Sequence, residues 1–303
     1  MGINQFLMLL FAVYQGRLNK VNLMKLVLFA QKQMGMRWCD FVPVKRGGYS
    51  FELARICEKL EDAGVLEERG EELFLTNWET YRDLRSLSSE MRDFLGRLSE
   101  FGDMGGQTYN GPFVAHVYRL APEFAVNSAI LDDLSRYDER LKQRVADIRA
   151  KNRVRLEGAP ALTTIGYEGY SLDRYLRALL SHGVTLLVDV RKNPISRCFG
   201  FSKSRLERSC RAVGIAYRHL PNLGIASEKR RSLYTQEDYD ALFEDYERTV
   251  LPNATEELQT IVNLLNAGER VALTCFEANA LQCHRTRVAR RITQMCGIEA
   301  LSL

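Results

Sequence analysis

The densest apolar run in the chain lies near its start. Phe6 to Val13 reads Phe-Leu-Met-Leu-Leu-Phe-Ala-Val and predicts a helix over 3–16 that is hydrophobic all round, and therefore buried. No basic segment precedes it, Tyr14-Gln15-Gly16-Arg17 is no cleavage site, and the run is too short to span a bilayer. A second helix follows over 22–34, with Leu23, Leu26, Val27, Phe29 and Ala30 at helical spacing. Phe41 to Val44 reads as a short extended piece, because the residue before a proline is pushed out of the helical region. Gly47-Gly48 is expected to form a turn. Ser50 can cap a further helix that buries Leu53, Ile56, Cys57 and Leu60 and stops at Ala63-Gly64. Val65 to Glu68 and Leu73 to Thr76, joined by a turn at Arg69-Gly70, predict a hairpin. Two more helices are expected over 78–101 and 127–149, separated by a loop at 102–107. Residues 150–160 read as a linker, which places a boundary near 158 and divides the chain into 1–158 and 159–303.

Beyond that point the pattern changes to short apolar runs alternating with amphipathic stretches. Strands are predicted at 162–165, 185–191, 216–220, 271–274 and 298–301, with helices at 172–181, 205–213, about 236–250, 255–266 and after Cys283. The alternation implies an α/β fold: a Rossmann-like parallel sheet with helices on both faces and right-handed crossovers. The N-terminal part is mainly helical, and its helix-then-hairpin order is that of a winged helix. Such a module contacts DNA through the helix that begins at Ser50. That helix, however, carries Glu52, Glu58, Glu61 and Asp62 against Arg55 and Lys59, the wrong balance for lying along phosphates. A partner-binding or dimerising role is the competing reading.

Composition adds little to this picture. The chain has 303 residues, 46% hydrophobic and 26% charged, enough for two cores. The net charge is +4, and the positive excess lies in the C-terminal half, as a phosphate-bearing partner would favour. Seven cysteines are scattered, with no CxxC pair, which points to a reduced, cytoplasmic setting rather than a disulfide framework. Neither GxGxxG nor a Walker motif is present.

In a parallel sheet, ligands bind outside the carboxyl ends of the strands. Those ends carry Tyr167 and Glu168, Asp189 and Arg191, His219, and Cys275 and Glu277, with Cys283, His284 and Arg285 at the start of the last helix. Glu168, Asp189 and Glu277 are candidates for a general base and for stabilising an oxocarbenium-like transition state. Arg191, Arg197, Lys203 and Arg285 suit phosphate, Asn193 lies among them, and Tyr167, Phe199 and Phe201 suit base stacking. The loop after 220 adds Lys229, Arg230 and Arg231. Cys283, beside His284 and Arg285 at a helix start, is a candidate nucleophile. Cys275, inside an apolar strand, reads as packing. Zinc on Cys275, Cys283 and His284, with His219 or Asp189 as fourth ligand, is a further option. Neither the spacing of a structural site nor the deaminase pattern is present, so no metal and no cofactor are expected. The bland alternative is that Asp189–Arg191 and Glu277–Arg285 are ion pairs bracing the loops.

Four motifs in order, Thr164 to Gly169 (TIGYEG), Val188 to Pro194 (VDVRKNP), Gly200 to Lys203 (GFSK) and Cys275-Phe276-Glu277 with Cys283-His284-Arg285, resemble the domain-of-unknown-function 488 family over about 162–295. The N-terminal half is similar to a winged-helix-like region that some members carry, and a DNA-repair label attached to some members is what the resemblance implies about setting. The resulting expectation is a hydrolase of nucleotides or nucleic acid, with DNA as the partner and N-glycosidic cleavage as one concrete reaction. Glu277, Asp189, Glu168, Cys283 and His284 would be catalytic. Tyr167, Arg191, Asn193, Arg197, Phe201, Lys203 and Arg285 would bind substrate. A cysteine-dependent, rhodanese-like transferase and a non-catalytic nucleic-acid-binding regulator are the alternatives. No membrane association is expected.

Overall fold

The computed structural model describes residues 1–157, 161–230 and 233–303. The chain divides into two compact units, Met1–Ala150 and Lys151–Leu303. The boundary expected near 158 lies outside the described residues, and much of the expected linker is helical.

In the first unit, α1 (Ile3–Val13) buries Phe6 through Ala12, as its all-round hydrophobicity requires. A short strand, β1 (Arg17–Asn19), leads into α2 (Lys20–Met34). The Asn19 side chain caps α2 by accepting from Val21 N at 2.8 Å. A small hairpin follows, β2 (Val42–Val44) and β3 (Gly47–Tyr49). Gly47 and Gly48 are therefore paired in a strand, and the turn falls at Lys45-Arg46. Glycine is needed at 47 for another reason: its φ is +84°, and a Cβ there would run into the Tyr118 hydroxyl. Next come α3 (Phe51–Asp62), capped by Ser50, and the hairpin β4 (Leu66–Arg69) and β5 (Glu72–Leu75). β1 joins the far side of β5, so the sheet runs β1-β5-β4, antiparallel throughout.

The helix expected over 78–101 is interrupted. Only α4 (Ser89–Ser99) is α-helical, preceded by a 3-10 turn at Trp78–Tyr81. Asp83 bonds the Arg85 amide at 3.0 Å and Ser88 bonds that of Met91 at 3.2 Å, giving the backbone local partners in place of a continuous helix. α5 (Gly111–Leu120), capped by Asn110, was not foreseen. The expected 127–149 helix is two pieces, α6 (Leu131–Leu134) and α7 (Arg140–Leu156), separated where Asp138 takes the Arg140 amide.

The second unit is a mixed α/β layer structure. It contains β6 (Leu162–Gly166), α8 (Leu172–Ser181), β7 (Leu186–Asp189), α9 (Lys203–Ala212), β8 (Ala216–His219), α10 (Gln236–Thr249), α11 (Thr255–Asn266), β9 (Val271–Cys275), α12 (Arg285–Cys296) and β10 (Ala300–Ser302). The sheet is all parallel in the order β10-β6-β9-β7-β8. Residues alternate across it. Leu162, Val188, Val271 and Leu273 pack against Phe243, Ile261, Val288 and Ile292 of α10, α11 and α12. On the other face Thr274 accepts a 2.6 Å bond from the hydroxyl of Tyr175 on α8. β9, central and fully buried, ends at Cys275.

Candidate functional site

The strand ends meet at one edge because the ladders continue past the strands. Tyr167 N donates to Cys275 O at 3.2 Å, Glu168 N to Phe276 O at 2.9 Å, and Val190 N to Thr274 O at 3.2 Å. β6 and β9 approach so closely there that a Cβ on Gly166 would strike the Glu277 carbonyl. The loop from β9 to α12 folds back over this edge, with Arg285 beneath it. The Arg285 guanidinium is fully buried and donates to the carbonyls of Glu277 and, at 3.2 Å, Ala278. Its role is to latch the loop, and it forms no ion pair with the Glu277 carboxylate. Thr286 adds a 2.5 Å bond to Ala280 O.

The latch gathers a reactive cluster. Cys275 Sγ lies 3.2 Å from Glu277 Oε2 and 3.6 Å from His284 Nδ1. The other imidazole nitrogen, Nε2, lies 2.9 Å from the Val190 carbonyl, which can only accept, so Nε2 carries the proton and Nδ1 faces the sulfur. Donor atoms of Cys275, Cys283 and His284 all lie within 4.8 Å of one another, and all three residues are buried. Glu277 also pairs with Arg230, which comes from a 3-10 turn at Ser227–Arg230.

Electrostatics follow from this packing. Burial pushes the Cys275 thiol up. The Cys283 thiol donating to it, the imidazole of His284 and the Arg230 guanidinium outweigh that and hold Cys275 well below the usual thiol range. Cys283 moves the opposite way: burial raises it, and donation to Cys275 raises it further. Burial alone would lower His284, but the negative Cys275 raises it. Glu277 is lifted by burial and then by Cys275, with Arg230 opposing.

The carboxylates expected at this edge do not act together. Asp189 is fully buried and binds Arg191 through Nε at 2.8 Å and Nη2 at 2.5 Å, while Tyr217 donates to it at 2.7 Å. Glu168 is exposed and accepts from Ala278 N at 2.9 Å. Glu277 alone reaches the cysteines. Tyr167 accepts from Arg191 Nη1 at 2.8 Å, and its ring stacks on Phe201 at 4.3 Å, so Phe201 is covered rather than presented to a ligand. Lys203 turns to His219 Nδ1 at 3.4 Å, while His219 Nε2 bonds Arg191 O at 2.8 Å.

A cavity of about 340 Å³ opens beside the cluster. Cys275 and His284 form part of its wall, with Tyr167, Arg191, Asn193 and Arg197 from the expected set. Lys192, Ser196, Cys198, Ser227, Arg230 and Phe276 add to its polar and aromatic surface, and no carboxylate lines it among the described residues. Lys203, Phe201 and Arg285 do not line it. Cys275, Arg230 and Phe276 line it although the sequence reading gave them no place among the catalytic or substrate-binding residues. Arg230 stands 47 positions from its partner Glu277, and Cys275 sits in an apolar run. Phe276, at 39% exposure between two chemically active neighbours, was the one with a visible signal. Arg231 lies outside the described residues.

Residues 171–292 match the family model described as "Domain of unknown function DUF488". The match lies within the C-terminal unit, from the start of α8 to near the end of α12, and the matched span includes Asp189, Arg191 and the whole Cys275–Arg285 loop. Tyr167 and Glu168 lie just before it. No curated protein and no solved structure matches the chain. Among the described residues no helix is long and apolar enough to cross a membrane.

Proposed function

We propose that the C-terminal unit is a hydrolase acting on a phosphate-bearing substrate, a nucleotide or a nucleic-acid strand, with DNA as the foremost candidate. The cavity carries this reading. Arg191, Lys192, Arg197 and Arg230 line it; Asp189 and Glu277 offset Arg191 and Arg230, so Lys192 and Arg197 carry the excess, and Cys275 and His284 form part of the wall with Glu277 3.2 Å behind Cys275. Arginine suits phosphate oxygens by its fork of donors, and the half-exposed ring of Phe276 offers a base a stacking face. Glu277 is the proton-transfer group: partly buried, raised above the ordinary carboxylate range, and steadied by Arg230. N-glycosidic cleavage fits a carboxylate in this position. The repair setting enters through the family resemblance, and the N-terminal unit is read as a winged-helix-like accessory on its α3-β4-β5 order.

The test is product analysis with purified full-length protein and a panel of nucleotides and single- and double-stranded oligonucleotides. Turnover is expected for at least one substrate, and Glu277→Gln should slow it by about 10²–10⁴-fold. Undiminished turnover in that variant overturns the mechanism, and binding without any turnover would make the site a regulator's. A thiol-transfer reading is favoured by one contact, Cys275 Sγ to His284 Nδ1 at 3.6 Å. It predicts a substrate fragment covalently held on Cys275, detectable by mass spectrometry of quenched protein, which the hydrolase reading excludes.

A further inference from the structure

We propose that Cys275, Cys283 and His284 form a metal centre for one divalent transition-metal ion, zinc by its donor set, facing the cation-lined cavity. The argument rests on three observations. Two sulfurs and one imidazole nitrogen lie within 4.8 Å of one another on three buried residues. Bonds of about 2.3 Å to sulfur and 2.0–2.1 Å to nitrogen, meeting at a tetrahedral angle, would set the two donors about 3.6 Å apart. Cys275 Sγ and His284 Nδ1 are 3.6 Å apart.

The second observation is the orientation of the imidazole. Its Nε2 is held 2.9 Å from the Val190 carbonyl, which leaves the Nδ1 lone pair directed at the cluster. A metal-binding histidine is usually fixed in this way, by a carbonyl or carboxylate on its other nitrogen. The third is access. Cys275 and His284 line the cavity while Cys283 does not, so a three-ligand ion would keep its open position on the substrate side.

The spacing in sequence concealed this arrangement. Seven residues separate Cys275 from Cys283, wider than the usual cysteine spacing of structural zinc motifs. The pair closes because Arg285 holds the intervening loop by its carbonyls. Neither His219 nor Asp189, the fourth ligands the sequence suggested, belongs to the cluster: His219 is bonded to Arg191 O and Asp189 to the Arg191 guanidinium. Two thiolates, one imidazole and a separate carboxylate make a donor set with which zinc activates water for attack on nucleobases. That role for the ion, with Glu277 receiving the water's proton, rests on the hydrolase reading. The binding site itself stands on its own geometry.

The experiment uses full-length protein stripped with chelator under reducing conditions and titrated with Zn²⁺, and separately with Co²⁺ as a spectroscopic probe. One ion per chain is expected, by elemental analysis, with the visible bands and sulfur-to-metal charge transfer of tetrahedral thiolate-bound Co²⁺. Cys275→Ser and His284→Ala should each weaken binding at least 100-fold, whereas Cys210→Ser, at a buried cysteine on α9, should bind as the wild type does. Wild-type protein that takes up no ion, or shows octahedral Co²⁺ without charge transfer, overturns the proposal, and this readout does not depend on any variant folding. Retained affinity in Cys275→Ser overturns it as well. An ion bound without turnover of any substrate sinks the hydrolase reading and leaves the metal centre standing. Turnover by protein that takes up no ion does the reverse.

Discussion

At Gly166 the peptide backbone of β6 packs directly on the Glu277 carbonyl, with no space for even a methyl group. Gly166→Ala must force the two strand ends apart, and a loss of about 1–3 kcal/mol in urea unfolding is expected, in line with the overpacking of a rigid site. Asp189 and Arg191 make a second residue-scale case. Arg191→Met would leave a fully buried carboxylate without its bidentate partner, and removing one member of a buried pair costs about 3–5 kcal/mol. Urea unfolding followed by intrinsic fluorescence would show it. Lys25 supplies a pH-dependent test. Burial lowers its amine to about 7, and the Arg46 and Gly48 carbonyls accept from it at 2.8 and 2.7 Å. The folded state thus favours the neutral amine, which still has two protons to donate. Between about pH 7 and the ordinary lysine range the unfolded chain binds more protons, so this group's contribution to stability grows as pH rises through that window and is lost on returning below about 7. The urea midpoint of the N-terminal unit should therefore rise from pH 6.5 to pH 9, and Lys25→Met should flatten that rise. An unchanged pH profile in Lys25→Met would refute the assignment.

The element that decides the site is the connection from β9 to α12. It has almost no regular structure, a single 3-10 turn at Ala280–Gln282, and depends on Arg285 for its path. Arg285→Gln should leave the sheet intact while raising amide hydrogen exchange over 276–284 by at least tenfold, with β6 and β7 unaffected. Uniform loosening of the whole unit would argue against a local latch. Much of this element was legible beforehand. Val271 to Cys275 is an unbroken apolar run ending in polar residues, and periodicity suffices to read such a strand. Glu277, Cys283 and His284 were visible by type. Cys275 was visible too but reads as packing, because a buried cysteine in a strand looks the same whether it packs or reacts. That Asp189 is closed off was legible as the ion-pair alternative, since Arg191 stands two residues on, where an extended chain returns to the same side. The helices expected over 78–101 and 127–149 are broken for a related reason. Asp83, Ser88 and Asp138 offer side-chain bonds that compete with helix continuation, and a hydrophobic period does not register them.

On the scale of the whole molecule, the charge is unevenly distributed and the cavity collects part of the excess. Binding of a single strand should fall as salt rises, with a log–log slope that decreases by about 0.7 for each phosphate contact removed. Arg197→Ala and Lys192→Ala would measure that directly by fluorescence anisotropy, and a slope indifferent to both would place the nucleic acid elsewhere. The sheet order β10-β6-β9-β7-β8 has a further consequence, for assembly. β6 and β7 are adjacent among the strands in sequence but never touch; β9, which begins 109 positions after Leu162, separates them. Until that late strand inserts, the unit has two open edges and no cluster, since Cys275 arrives with the strand itself. Long-range pairing of this kind folds slowly. An ion or ligand that needs Cys275 can therefore be captured only in the closing step, and its uptake during refolding should report the moment the sheet becomes continuous.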